Sequence, residues 1–355
     1  VERVVKSTLV SFEQDAKQQY EGLLFEHYPL DKCVQDAKKV WDYLYRMLDR
    51  GRDDPDSDDV LLLGTDYIVK YGIGRQVGTW PSLQSCCRKF RGALAKAFYH
   101  DIDVANCHFV LMLQVAKDHG VVLPTVAHYA NPAHREEVLK EVMEFYECGR
   151  DSAKQLLLSI LNGGGPQAWM HKAKIRQSIR NNINNGTLEH LEIVRSLQGE
   201  YQKIRDVMFA KYASQLDELI NQIKQDRKFK EFERDDVKEL IPMTDEDYKR
   251  KAFSTCLQNE ENIVLTAMDE YFQKEGYNVD VLVYDGMMVR RRHGSHPVPP
   301  EMLRACEDYV CEKTRYPIRL EEKCLGCGSK LAACGCADKT VPQIEEMEPE
   351  PEPEG

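Results

Sequence analysis

Two runs rich in β-branched and apolar residues meet at an Asp-Gly dipeptide in the C-terminal half of the chain. The segment is NVDVLVYDGMMVRRR, residues 278–292, with Asp285 and Gly286 at its centre. An Asp-Gly between two such runs is a strong short-range signal for a β-hairpin. The sequence therefore predicts an antiparallel pair of strands with Asp285 at its tip.

Another strand is predicted at residues 97–104 (AFYHDIDV), and it runs into an apolar helical segment from Cys107 to Ala116. Asp103 ends this strand. If both strand segments join one sheet, Asp103 and Asp285 come together, and paired carboxylates can hold two divalent ions. The alternative is that Asp-Gly is only a good turn and that Asp103 is an exposed strand end. These two residues taken alone favour that alternative.

Most of the remaining sequence predicts helix. Residues 1 to about 70 are expected to be mainly helical, with a charged, Pro-broken loop at 50–59. Further helices are expected at 135–162, at 187–230, and from Thr244 with Asp247 through about residue 274. The Pro/Glu-rich residues 341–355 are expected to form a disordered acidic tail.

One predicted helix carries chemically distinct residues at every fourth position: Arg150, Lys154, Leu158 and Asn162, followed by Gly163. At this spacing they form one stripe on the helix. Two cations can grip a triphosphate, and an apolar residue one turn further can support a base. A solvated basic patch before an apolar helix is the alternative, and it is favoured for this segment in isolation.

Residues 74–96 form a basic segment in which Arg75, Gln84, Arg88 and Arg91 accompany Trp80. Such a mixture suits contacts to phosphates and base edges. An ordinary charged surface loop is an equally good interpretation.

Four cysteines lie within 13 residues near the C-terminal end: Cys324, Cys327, Cys334 and Cys336. Four thiolates can close a tetrahedral zinc site, although the second pair is C-x-C and the intervening loop is short. The alternative is an oxidation-prone tail. If a structural Zn²⁺ is bound, the segment could serve as a small nucleic-acid or partner-binding knuckle.

Composition limits the class of protein. The chain has 355 residues, of which 42% are hydrophobic, so it can bury a sizeable core. Its formal net charge of −11 argues against indiscriminate coating of nucleic acid, but it allows a local basic cleft. No apolar run approaches the ~20 residues needed to cross a bilayer, and no secretory signal is evident, which leads us to expect a reducing intracellular location in host cytoplasm or nucleus, without a membrane partner.

The motifs, taken together and in order, resemble those of family A DNA polymerases over roughly residues 70 to 295. Gly74-Arg75 with Pro81-Ser82-Leu83-Gln84 resembles the family's G-R-x5-P-N-L-Q segment. Asp103-x4-His108 resembles motif A, and the stripe from Arg150 to Gly163 has the layout of motif B. Tyr284-Asp285-Gly286 stands in the place of motif C, and Gln258 falls on the helix expected before it.

The departures from the family pattern are informative. The segment Asp103-x2-Asn106-x-His108 resembles a divergent branch found in viruses, virophages and related mobile elements. His108 replaces a glutamate that helps to exclude a 2′-hydroxyl, so sugar discrimination is open. Gly286 replaces the second acid of motif C, which leaves Asp103 and Asp285 as the metal pair, with Asp101 as an alternative or supplementary ligand.

The resemblance implies a role for each matching residue. Asp103 and Asp285 would bind two Mg²⁺ or Mn²⁺ ions. Arg150 and Lys154 would hold the β- and γ-phosphates, with Lys154 also a proton donor to pyrophosphate. The remaining roles are nucleotide contacts by Leu158, Asn162, Gly163 and His108, and DNA contacts by Arg75, Gln84, Arg88, Arg91 and Gln258.

The resemblance also implies an α+β right-hand fold, with a small antiparallel palm and mostly helical fingers and thumb. The expected division is a thumb-like region at 1–70, palm at 71–120 and 255–321, fingers at 121–254, the cysteine cluster at 322–340 and the tail at 341–355. The expected activity is template-directed DNA synthesis from dNTPs on a primer–template in a virus or mobile element, with a replicative helicase or primase as partner. The alternatives are a primase or RNA-synthesising relative, and an inactive nucleic-acid-binding subunit.

Overall fold

The computed structural model describes residues 1–26, 32–234, 237–292 and 297–336. The expected acidic tail lies outside these residues. Over the described residues the fold is a helix-rich α+β arrangement with small antiparallel sheets. The strands are β1 (Glu2–Val5), β2 (Arg52–Asp54), β3 (Ser57–Leu63), β4 (Tyr67–Val69), β5 (Gln76–Gly78), β6 (Tyr99–Val104), β7 (Phe229–Arg234), β8 (Val237–Pro242), β9 (Val279–Val283), β10 (Gly286–Arg290) and β11 (Leu320–Lys323).

Helices make up most of the rest of the described chain. They are α1 (Lys6–Glu26), α2 (Lys32–Arg50), α3 (Arg88–Ala95), α4 (Cys107–Asp118), α5 (Pro124–Ala130), α6 (Pro132–Tyr146), α7 (Arg150–Leu161), α8 (Pro166–Lys172), α9 (Gln177–Asn184), α10 (Glu192–Lys211), α11 (Ala213–Asp226), α12 (Asp245–Lys274) and α13 (Pro300–Thr314). None of the helices in the described ranges is long and apolar enough to cross a membrane.

The predicted hairpin is confirmed as β9 and β10, and it joins β6 in one sheet. This sheet has the strand order β11–β6–β10–β9, and each neighbouring pair is antiparallel. The turn consists of Tyr284 and Asp285, and Tyr284 takes the left-handed conformation, with φ of 56°. Gly286 is the first residue of β10 and pairs with Val283 on one side and Asp103 on the other.

The four-stranded sheet separates two hydrophobic cores, because side chains alternate between the faces of a strand. Ile102 of β6 and Met287 of β10 lie in a large core built with α4 to α13. Tyr99 of β6 and Met288 of β10 lie in a smaller core with α1, α2, α3 and β1. Asp103 shares the face of Tyr99, so it lies on the side of the smaller core.

The N-terminal region departs from expectation. The amphipathic pattern of residues 34–47 is confirmed as part of α2, with Val34, Leu44 and Met47 buried. The prediction of a loop at 50–59 is wrong, since β2 and β3 pair there as a hairpin. β1 pairs with the other edge of β3 and completes a three-stranded sheet. The charges that indicated a loop belong to short strands with exposed residues, and Leu61 and Leu63 of β3 supply the face that packs into the core.

Two predicted helices are interrupted. Residues 135–162 divide into α6 and α7 because Glu147 adopts a left-handed conformation, with φ of 52°, and Gly149 caps the next helix. Residues 187–230 divide into α10 and α11, and the chain then enters β7. The start of α12 is confirmed, since the Thr244 hydroxyl accepts the Asp247 N–H at 3.2 Å and the Asp247 carboxylate accepts the Thr244 N–H at 2.9 Å.

Candidate active site

The two aspartates singled out by the sequence lie on neighbouring strands. Gly286, directly after Asp285, pairs with Asp103, and the Val104 N–H donates to the Asp285 carbonyl at 3.1 Å. Asp103 is at the penultimate position of β6, and Asp285 is the last residue of the hairpin turn. The sheet register therefore brings both residues to one end of the sheet.

A lysine that the sequence analysis missed accompanies this acid pair. The Lys323 ammonium donates to the Asp103 carboxylate from the end of β11. Lys323 pairs in register with Asp101, which projects from the same face of β6 as Asp103. The signal available in the sequence was a lone basic residue ending the β-type run before Cys324, which is too weak to single out.

The carboxylates of Asp103 and Asp285 repel one another. Burial, and then the charge of Asp285, raise the pKa of Asp103 to about 7, against the lowering effect of Lys323. Burial also raises the pKa of Asp101, although Arg91, Arg88 and Lys323 act to lower it. A cation placed between these groups would relieve both the burial cost and the repulsion. Aspartate oxygens are also the ligands that Mg²⁺ and Mn²⁺ prefer, so the donor set fits divalent ions.

Gly286 leaves no room for a side chain. A Cβ built at this position would lie 2.5 Å from the Ile102 carbonyl oxygen and 3.1 Å from the Asp103 Cα. Its φ is not in the left-handed region, so close approach of the β6 backbone, rather than turn conformation, requires glycine here. A second acid beside Asp285 is therefore excluded by packing on this backbone.

The cationic end of the predicted stripe lies on the first turns of α7. Arg150 is exposed and makes a two-point ion pair with Glu136 of α6, with its Nε 3.0 Å from Glu136 Oε2. Lys154 lies one turn further along, where its side chain reaches solvent but its ammonium is partly desolvated. Burial of its ammonium, together with Arg135 and Lys323, lowers the pKa of Lys154, while Asp285 and Asp103 act to raise it. Lys154 therefore lies within electrostatic range of the acid pair.

The apolar end of the stripe lines an open cleft of about 600 Å³ between α7, α8 and α12. Leu158 and Asn162 both face this cleft. The Asn162 side chain is fixed, because its amide donates to the Leu158 carbonyl at 2.9 Å and its oxygen accepts from the Ser254 hydroxyl at 3.0 Å. Gly163 has φ of 77° and its carbonyl accepts from Arg250 at 3.1 Å.

A buried glutamate connects two further predicted residues, and the sequence analysis missed it. The Glu261 carboxylate accepts from Arg75 at 2.7 and 2.8 Å, and it lies 2.9 Å from His108 Nε2. Glu261 is 1% exposed, and burial would raise its pKa, but the bonds from His108 and Arg75 keep the pKa below its usual range. Arg75 also stacks 4.8 Å from the ring of Tyr284 in the hairpin turn.

Glu261 of α12 therefore links His108 to Arg75, which stacks on the residue directly before Asp285. Within a charged Asn-Glu-Glu-Asn run, helical spacing alone could have indicated that Glu261 faces the core, since Leu257 and Val264 lie on the same stripe and are buried. Gln258 is on the same helix, one turn before Glu261, and it is half-buried.

The other predicted DNA-contacting residues differ in exposure: Arg88 is exposed, whereas Gln84 and Arg91 are buried. Arg88 is exposed at the start of α3. Gln84 is 4% exposed and is bonded within its own loop, accepting from the Gly78 N–H at 2.9 Å and donating to the Gln76 carbonyl at 3.0 Å. Arg91 is 7% exposed, and its guanidinium lies 3.4 Å from the Cys86 carbonyl. In this conformation Gln84 and Arg91 stabilise the loop and do not present their side chains to an external ligand.

The four cysteines form a compact group. Their Sγ atoms all lie within 4.8 Å of one another, so this cluster could hold a metal ion.

Comparisons with known proteins place the fold in a class. The POL domain of Pol1 from M. smegmatis, solved in complex with DNA primer-template and dNTP, aligns with a TM-score of 0.50. The alignment covers 90% of this chain and 66% of that chain, at 12% sequence identity. At this identity the similarity concerns the fold alone, and the fold of this chain resembles that of a polymerase domain.

This chain is also similar in sequence to a virophage protein. The Sputnik virophage protein "Putative helicase V13" is 28% identical over 243 residues, which is 68% of this chain. This chain spans about a quarter of that protein, 27% of its length. No protein-family model matches the sequence.

Proposed function

We propose that this chain is a template-directed DNA polymerase of a divergent, virus- or mobile-element-type branch of family A. The observation that carries the proposal is the pairing of β6 with β10. It brings Asp103 and Asp285 to one end of a sheet, within electrostatic range of Lys154 on α7. A polymerase-domain fold around this constellation supports the same activity.

The proposal assigns the elements to a right hand. The sheet β11–β6–β10–β9 with α4, α12 and α13 is the palm, helices α5 to α11 are the fingers, and α1 with α2 is a short thumb. Of the boundaries expected from the sequence, those at residues 70, 120 and 321 are kept in this proposal, whereas residue 254 lies inside α12, which the proposal assigns whole to the palm. The palm then forms from two separate parts of the chain.

Two Mg²⁺ ions held by Asp103 and Asp285 would activate the primer 3′-hydroxyl and stabilise the leaving phosphate oxygen. The chain's own residues bind and orient the substrates. Arg150 would release Glu136 and take the triphosphate, an exchange that costs little because the ion pair is exposed. Lys154, whose pKa is lowered, is suited to bind the phosphates and to donate a proton to pyrophosphate.

The cleft between α7, α8 and α12 would receive a base at the growing end of the duplex. Leu158 supplies an apolar surface for it, Asn162 borders the same space, and Gly163 directly follows Asn162 in the chain. Arg75 and Gln258 would follow the minor groove of the primer–template, where contacts sense shape more than sequence. Arg88 would contact phosphate.

Primer extension on a short DNA template tests the proposal. Wild type should add templated dNTPs with Mg²⁺ or Mn²⁺, and Asp103→Asn and Asp285→Asn should each lose at least about 10³-fold in rate, since removing a metal ligand removes the main electrostatic stabilisation. Asp206→Asn, an exposed aspartate on α10, is the matched control. Folded protein that binds primer–template but incorporates nothing in either metal would instead favour the binding-subunit alternative.

A second candidate, an RNA-synthesising or primase-like activity, is favoured by one observation. His108 stands at the motif A position where the family has a sugar-discriminating glutamate, and its Nε2 lies 2.9 Å from the Glu261 carboxylate, which fixes the ring. Comparing NTPs with dNTPs, with and without a primer, separates the two candidates. If His108 contacts the sugar, His108→Ala should change the NTP/dNTP preference by about tenfold or more; an unchanged ratio would remove it from sugar recognition.

The proposed partner is a helicase. The Sputnik virophage relative carries a helicase name, and this chain matches about a quarter of its length. A polymerase and a helicase working on one template would be joined or associated. Co-purification of the helicase encoded by the same element, with stimulation of strand-displacement synthesis, is the expected result; synthesis unaffected by that helicase would count against the association.

A further inference from the structure

The cysteine cluster is built by a short segment that folds back on itself directly after β11. Cys324 follows the last residue of that strand, and Cys334 follows a short 3-10 helix, Leu331–Ala333. The Gly328 N–H donates to the Cys324 carbonyl at 2.7 Å, and the Cys324 N–H donates to the Ser329 carbonyl at 2.9 Å. These bonds close a tight turn. The turn segment, residues 324–336, is called the knuckle below.

The sulfur positions match what a tetrahedral ion requires. A Zn–S bond of about 2.3 Å places the four sulfurs of a tetrahedral site about 3.8 Å apart. In the knuckle all four Sγ atoms lie within 4.8 Å of one another, and Cys327 Sγ is 3.4 Å from Cys334 Sγ. The Cys336 N–H also points at Cys334 Sγ, at 3.3 Å, as donors do toward bound thiolates.

Burial does not explain why these thiols cluster. Cys327 is exposed, Cys324 and Cys336 are half-buried, and Cys334 is buried. Packing of apolar side chains would therefore stabilise this group weakly, whereas an ion bound by four thiolates would fix it. Soft thiolate ligands select zinc among the common divalent ions, and four protein ligands leave no open position for catalysis.

The knuckle also contacts elements that border the acid pair. Lys323, which bonds Asp103, immediately precedes Cys324. The Leu325 carbonyl packs against Gly92 of α3, and the Arg88 guanidinium packs over Gly328. A fixed knuckle therefore holds two cations, Lys323 and Arg88, beside the carboxylates of β6.

We propose that Cys324, Cys327, Cys334 and Cys336 bind one structural Zn²⁺, and that this site positions the end of β11 and the start of α3 against the acid pair. The zinc site is closed and acts through Lys323 and Arg88, which are positioning residues in this arrangement. The inference stands on the knuckle's geometry and is independent of the polymerase activity.

Metal analysis of the reduced, purified chain tests the binding. Wild type should carry about one zinc per chain, and the double variant Cys327→Ser/Cys336→Ser should lose it. The matched control is Cys87→Ser/Cys311→Ser, which changes two thiols outside the cluster and should keep the zinc. Cobalt added to metal-free wild type should give the thiolate charge-transfer and strong d–d absorption of a tetrahedral S₄ site, so the test survives a variant that fails to fold.

Hydrogen exchange tests the positioning. In the double variant, exchange should increase at residues 320–330 and at 88–95 and stay unchanged in α10, which packs against α4, α5, α7 and α12. Wild type without zinc or cobalt binding, an iron–sulfur spectrum, or a double variant that retains its zinc would overturn the zinc assignment. Zinc loss that leaves exchange in β11 and α3 unchanged would overturn the positioning role. Each readout is independent of nucleotide incorporation.

Discussion

At the scale of single residues, the site depends on one position that admits no side chain. Gly286 lies against the β6 backbone at Asp103, so adding even a methyl group must push two strands of the sheet apart. We expect Gly286→Ala to reduce the free energy of unfolding by roughly 2–3 kcal/mol, in the range of overpacking substitutions. Primer extension should fall as well, because the separation of the acid pair changes.

The control is Gly199→Ala on α10, where a Cβ meets open space and the backbone is helical. Alanine should stabilise that helix by about 0.5–1 kcal/mol. Urea unfolding of both variants provides the measurement. Equal stabilities for Gly286→Ala and wild type would show that β6 and β10 can separate freely, contrary to the packing described above.

A second prediction at this scale concerns Glu261. Glu261→Gln keeps the shape of the side chain but removes the charge that Arg75 and His108 share. Breaking a buried ion pair leaves an uncompensated charge, so we expect a loss of about 3 kcal/mol in the free energy of unfolding. The control is Glu270→Gln. Glu270 lies on α12 like Glu261, but it forms a half-exposed ion pair with Lys313 of α13, so the substitution should change the free energy of unfolding by less than about 1 kcal/mol. Similar small effects for both variants would contradict a central role for Glu261.

At the scale of elements, β1 is anchored by a carboxyl group that prefers to be neutral. Glu2 accepts the Leu83 N–H at 2.7 Å, and burial raises its pKa to about 7. Between pH 4.5 and 7 the folded chain keeps a proton that the unfolded chain has released. The contribution of Glu2 to stability is therefore full below pH 4.5 and is lost as pH rises through 7.

Glu2→Gln should remove this dependence. The variant should match wild type near pH 4.5 and exceed its free energy of unfolding at pH 8 by up to about 3 kcal/mol, at about 1.4 kcal/mol per pKa unit. Urea unfolding across this pH range measures the difference, with the exposed Glu144→Gln as control. Stability curves that run parallel for Glu2→Gln and wild type would mean that the buried carboxyl is not the titrating group.

The sequence predicted elements well where one local pattern decides them. Asp285-Gly286 between β-type runs predicted β9 and β10, and the Thr244–Asp247 pair predicted the start of α12. It failed where the deciding contact is distant in the chain. β3 pairs not only with its neighbour β2 but also with the distant β1, and Glu261 accepts hydrogen bonds from Arg75, 186 residues away. Lys323 reaches Asp103 across 220 residues, which no local pattern encodes.

At the scale of the whole molecule, a chain with net charge −11 must concentrate its positive charge to bind DNA. Binding of the protein releases counterions from the DNA, and added salt opposes this release. Affinity for primer–template should therefore fall steeply between 50 and 200 mM salt. Arg88→Ala should weaken binding to all sequences alike and reduce the slope of log K against log salt by about 1. Lys39→Ala, an exposed lysine on α2, should leave the slope unchanged; equal slopes for all three proteins would exclude a phosphate contact by Arg88.

The division of the palm sheet between distant parts of the chain also has a consequence for synthesis in the cell. Asp285 leaves the ribosome 182 residues after Asp103. At a synthesis rate of about 5–20 residues per second, β10 is made roughly 10–40 s after β6, and β11 is made later still. Helices α4 to α11 can fold in that interval, but the exposed edges of β6 cannot pair. We expect the nascent chain to need chaperone protection in this interval, and the acid pair to be among the last features to form.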